Sequence, residues 1–172
     1  MPTPHPNFRL RGALITGTAA VPWTMIADLG GANLPIGIAS LVLTAACVGV
    51  ALTLGRRPGP ERTPAEGWNK TFGRVGLLEL AGIGLSVAIL APTGLAQLIP
   101  TAIALVVGVH FFPLAKVFGQ PQYRWTGVGM CLAAAVALVL FVANLRDPSM
   151  AVAGLGTAAT LWGTSLAVSV RG

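Results

Sequence analysis

Apolar residues run along this chain in six blocks, and short polar or turn-forming segments separate them. The blocks fall at about residues 11–29, 34–55, 75–92, 96–118, 126–145 and 150–170. Each lies within the ~17–25 residues that an α-helix needs to cross the hydrocarbon of a bilayer. The breaks have physical causes. Gly30-Gly31 with Asn33 predicts a tight turn, as does Pro92-Thr93-Gly94, while Asp147-Pro148-Ser149 offers an N-cap followed by proline at the first helical position. Two polar loops remain, RRPGPERTPAEGWNK after the second block and QPQYRW after the fourth. The pattern predicts an all-α, polytopic membrane helical bundle: six transmembrane helices as three hairpins, forming one integral-membrane domain over 1–172 with a loop at 56–74.

Composition agrees with that class. The chain has 54% hydrophobic and 9% charged residues, against about 25% charged in soluble domains. Such a chain lacks the polar surface to face water. The net charge of +6 raises the question of nucleic acid, but no basic face is interleaved with stacking aromatics. The cations instead mark topology. Arg9 and Arg11 precede the first block, Arg56, Arg57, Arg62, Lys70 and Arg74 crowd one loop, and Lys116, Arg124 and Arg171 fall at later helix ends. The opposite side holds Arg146 beside Asp147. The positive-inside rule then places both termini and the 56–74 loop in the cytoplasm, with a multi-pass chain in the cell's inner membrane. The opening MPTPHPNFRLRG and the apolar stretch after it have no convincing small-residue cleavage site, and read as a retained first helix.

An offset of 64 slides residues 7–55 onto 71–119 and aligns Phe8 with Phe72, Gly12 with Gly76, Gly30 with Gly94, Leu41-Val42 with Leu105-Val106 and Gly55 with Gly119. About a fifth of positions coincide where composition alone gives about a tenth, which suggests a parallel internal repeat of two spans. Small residues four apart (Ala13 and Gly17, Gly82 and Ser86, Ala133 and Ala137, Ala159 and Gly163) predict close helix packing. Pro22, Pro35, Pro100 and Pro113 are expected to kink or loosen their spans. Cys47 and Cys131 stand in apolar runs without a partner at metal or redox spacing, and read as small packing residues.

The informative residues are ionisable groups at membrane depth, each costing about 2.5–3.5 kcal/mol at a helix centre on insertion scales. Glu79 falls about one turn into the third span. His110 falls about two turns before the cytoplasmic end of the fourth. A rise of about 1.5 Å per residue brings them within about 5–8 Å of one depth, so a contact is reasonable. The plainer reading pairs Glu79 with Arg74 or Lys116 and gives His110 a backbone carbonyl. Asp28 stands near the outer end of the first span, either capping a turn in interfacial water or guarding a cavity mouth. Gly108 to Phe118 gathers a histidine, three phenylalanines, a proline and a lysine. Phe111 and Phe112 either face lipid and neighbouring helices or wall a lipophilic cavity with Trp23 and Trp162. Tyr123 and Trp125 read as interfacial anchors.

Walker and dinucleotide motifs, paired-histidine metal spacing, a Ser-His-Asp set and aspartate-rich diphosphate motifs are all missing. No metal or cofactor is expected. A carboxyl group in an apolar site keeps its proton and, with a hydrogen-bond donor and aromatic faces nearby, can protonate an alkene or epoxide. In size, helical pairing and intramembrane carboxyls the chain resembles the small integral-membrane terpene cyclases of meroterpenoid pathways. That resemblance implies a lipophilic prenyl or terpenoid substrate, with Glu79, Asp28 and His110 catalytic and Trp23, Phe111, Phe112 and Trp162 around the substrate. The segment His110-Phe-Phe-Pro113 also resembles one in small uncharacterised bacterial membrane proteins, which implies no activity. Two further classes stay open: a proton-coupled carrier using Glu79 with His110, and an accessory subunit of another membrane protein. Membrane lipid is the expected partner in each case, and a homo-oligomer is compatible with all three.

Overall fold

A computed structural model describes residues 8–29, 34–55 and 67–171. The described chain is helical: α1 (Phe8–Leu29), α2 (Leu34–Leu54), α3 (Trp68–Leu90), a single 3-10 turn (Ala96–Leu98) leading into α4 (Ile99–Val117), α5 (Gln122–Val142) and α6 (Arg146–Arg171). Five helices are long and apolar enough to cross a membrane: α2, α3, α4 with its leading turn, α5 and α6. The sixth, α1, has 22 residues, but Thr16, Thr18, Thr24, Pro22 and Asp28 dilute its apolar character.

The helices pack in the order α2, α1, α6, α5, α4, α3, with α6 also touching α2 and α4. Contacts fix which ends lie together. Arg9 at the start of α1 donates from Nε to the Ser169 carbonyl near the end of α6 at 3.1 Å, and its Nη2 reaches the same oxygen. Tyr123 at the start of α5 abuts Gly12, and Phe118 after α4 lies 6.0 Å from Trp68 at the start of α3, centroid to centroid. At the other end the Arg146 guanidinium approaches Gln97 at 3.4 Å, and Asp28 stands against Gly37. Neighbours in this order therefore run antiparallel. One end carries Arg9, Arg11, Lys70, Arg74, Lys116, Arg124 and Arg171; among the described residues the other carries Arg146, Asp28 and Asp147.

In lipid, helices gain little by hiding apolar surface from one another, so close approach and interhelical hydrogen bonds must hold them. The α1/α6 interface uses both. A Cβ on Gly154 would stand 2.5 Å from the Trp23 carbonyl oxygen and 2.6 Å from the Ala27 nitrogen, so only glycine allows this crossing. Ser165 donates to the Ala13 carbonyl at 2.8 Å, across from Gly17. Ser149 donates to Ala137 of α5 at 2.7 Å, and the Trp162 indole donates to Thr44 of α2 at 2.9 Å. Between α4 and α5, Gly108 meets Met130 and Cys131 while Gly127 meets the Gly108 carbonyl.

Several expectations are corrected. Helix α3 begins at Trp68, so 68–74 is helix rather than loop; 56–66, the Gly30-Gly31-Asn33 turn and His5 lie outside the described residues. The last turn is made at Asn144, whose φ of 64° is left-handed, and α6 starts at Arg146. Pro148 thus sits inside the first helical turn, where its missing N–H is no loss. Pro35 and Pro100 likewise open α2 and α4 rather than kinking them, whereas Pro22 and Pro113 stand within helices. Ala159 and Gly163 face outward, and nothing stands within 4 Å of a Cβ at Gly163. The offset of 64 maps α2 onto the 3-10 turn plus α4 almost end to end and α1 onto α3 within about one turn. The two hairpins hold unlike places: α1 is interior and α3 is an edge.

Candidate functional site

Glu79 lies deeper than the apolar pattern placed it, eleven residues and about 16 Å along α3 from Trp68. His110 lies about 10 Å before the end of α4. Because α3 and α4 run antiparallel, the two residues fall within about 6 Å of one depth, a difference their side chains span. Glu79 Oε2 stands 3.3 Å from His110 Nδ1, with the two side chains 24% and 10% exposed. It is His110, rather than Arg74 or Lys116, that reaches ion-pair distance among the described residues. The contact is close without the alignment of a hydrogen bond, and Nδ1 is buried with no hydrogen-bond acceptor.

An aromatic chain begins at this pair. The Phe111 ring stands edge-on to His110 at 6.1 Å and to Tyr123 at 5.7 Å, Tyr123 meets Phe118 at 6.3 Å, and Phe118 meets Phe72 and Trp68 at 6.0 Å each. The chain ties α3, α4 and α5 together at the cationic end. Tyr123 is therefore no interfacial anchor: it is buried, because Gly12 leaves room for its hydroxyl. Trp125 is 75% exposed, as an anchor should be.

The other candidates are not gathered at the pair. Asp28 is exposed at the opposite end of the molecule, beside Gly37. Trp23 is buried in the α1/α6 crossing, and Trp162 is buried against α2, with its carbonyl 4.0 Å from the Cys47 thiol. Phe111 is buried, whereas Phe112 is exposed, with its ring edge against Gly127. No three His, Cys, Asp or Glu side chains converge as metal ligands among the described residues.

A cavity of about 400 Å³ opens elsewhere, between α5 and α6, at the cationic end. Its wall includes Trp125, Thr126, Thr160, Thr164 and Arg171. Trp125 and Arg171 were read as an interfacial anchor and a helix-end cation, but Thr126, Thr160 and Thr164 were not singled out. For Thr160 and Thr164 the signal is the run of hydroxyls through α6, at Ser149, Thr157, Thr160, Thr164, Ser165 and Ser169. No family model, curated protein or solved structure matches this chain.

Proposed function

We propose that the protein is a small proton-coupled membrane carrier whose proton site is the Glu79–His110 pair. It crosses the inner membrane six times with both termini in the cytoplasm. The charge asymmetry between the two ends supports the orientation. The observation that carries the function is the 3.3 Å approach of Glu79 and His110 at membrane depth. Ionisable groups inside spanning helices are costly and recur where protons or substrates pass. Helix α3 has no buried residue and packs on α4 and its leading turn. Gaining or losing a proton at the pair alters what holds α3 to α4, so proton binding is coupled to movement of the edge helix.

The test is proton entry into liposomes loaded with a pH-sensitive dye after an external acid pulse. Wild type should exceed protein-free vesicles, while Glu79→Gln and His110→Gln should fall to the vesicle baseline. Equal flux from all three proteins, or none from folded wild type, overturns the reading.

A second reading, an enzyme isomerising a lipophilic substrate, is favoured by the aromatic chain that starts at His110. There Glu79 or His110 delivers the proton and the Phe111 face steadies a developing cation. Its mark is a product of unchanged mass and new retention time in extracts of cells given prenylated precursors, lost with Glu79→Gln.

A further inference from the structure

We propose that the groove between α5 and α6 binds one anionic phospholipid, phosphate at Arg171 and an acyl chain along α6. Thr160, Gly163, Ala167 and Arg171 all line this groove, each about one turn from the next on one face of α6. Gly163 makes the slot: nothing occupies the 4 Å around its missing side chain. From Thr160 to Arg171 the slot runs about 16 Å. The headgroup layer is only about 5–8 Å deep on each side of a bilayer, so one end lies among headgroups and the other in hydrocarbon.

The polarity follows that division. Deeper in, the Thr160 and Thr164 hydroxyls already donate to the Gly156 and Thr160 carbonyls at 2.8 Å each, leaving an apolar path past Gly163 and Ala167. At the rim stand the Arg171 guanidinium, a planar fork suited to phosphate, and the exposed Trp125 ring, which belongs at headgroup level. Arg124 and Arg9 add positive charge at this end. That positive charge favours an anion over a zwitterion.

The experiment is native mass spectrometry of the full chain released from detergent, titrated with phosphatidylglycerol, phosphatidylcholine of the same acyl chains, or inorganic phosphate. Wild type should keep a single phosphatidylglycerol at concentrations where phosphatidylcholine has gone. Arg171→Gln should weaken it about five-fold, the effect of one juxtamembrane cation, and Arg171→Lys should restore most of it. Gly163→Phe, on an exposed position, should abolish retention by filling the slot. Arg124→Gln, a cation of the same end outside the groove, should weaken retention less than Arg171→Gln does. Equal retention of both lipids, loss with Arg124→Gln as large as with Arg171→Gln, or full retention in Gly163→Phe overturns the proposal. Displacement of the lipid by millimolar phosphate also overturns it, since a phosphate site would then need no acyl chain.

Discussion

Glu79 and His110 should be thermodynamically coupled, and a double-mutant cycle can measure by how much. Two unit charges about 4 Å apart attract by about 4 kcal/mol at an effective dielectric of about 20. Here the side chains are 24% and 10% exposed, so water and headgroups screen part of that attraction, and desolvation of both groups offsets most of the rest. Removing one partner does more harm than the pair does good, because it strands the other at membrane depth. For fully buried pairs that loss is about 3–5 kcal/mol; for this half-open pair about 1–3 kcal/mol is expected from Glu79→Gln or His110→Gln alone. The double variant should lose about 1 kcal/mol less than the two single losses together. Equilibrium unfolding in mixed micelles, titrated with SDS and followed by tryptophan fluorescence, gives all four corners of the cycle. Losses that add within about 0.3–0.5 kcal/mol would mean the side chains do not interact, and the proton site would go with them.

Other contacts give sharper structural tests in the same assay. Gly154→Ala places a methyl about 0.9 Å inside ordinary contact with the Trp23 carbonyl and should cost about 1–3 kcal/mol by forcing α1 from α6; Gly163→Ala, with open space around it, should be neutral or stabilising by up to about 1 kcal/mol. Trp162→Phe strands the Thr44 hydroxyl and should cost about 1–3 kcal/mol, part of which Thr44→Val in the same chain should recover. Arg9→Gln removes a cation from one of the last carbonyls of α6 and should speed hydrogen exchange in that final turn, with a loss of about 0.5–1.5 kcal/mol.

Helix existence was legible because twenty-residue apolar runs have few other uses, and the ends of α2 and α4 were read within a few residues. The Glu79–His110 contact was legible for a related reason: a short turn forces antiparallel neighbours, and the rise per residue then sets depth. Depth itself was misjudged at Glu79, because Trp68–Arg74 is polar enough to read as loop, yet the aromatic contacts of Trp68 and Phe72 with Phe118 draw it into helix. Neighbour order was not legible. Nothing in a linear pattern says that α1 lies on α6, since the signal is spread over Gly154, Ser165 and Arg9 as single residues far apart in the chain. Tyr123 was misplaced on the same account, as its burial depends on the missing side chain of Gly12.

The distribution of these contacts bears on how the molecule works. Glycines, serines and threonines concentrate where α1, α6 and α5 cross, and each close approach or interhelical hydrogen bond there makes separation costly. Helix α3 has none of this among its described contacts beyond Gly82 against Val106, the aromatic edge and the Glu79–His110 contact. Elements held by few contacts open at the low end of the stability range. A proton can shift a conformational equilibrium only by its differential affinity for the two states. On the carrier reading proposed above, a proton bound at Glu79 and His110 would have little leverage on the α1/α6 crossing, where it would oppose many contacts at once. At the α3/α4 seam it would oppose few, which is why the carrier reading places the movement at α3.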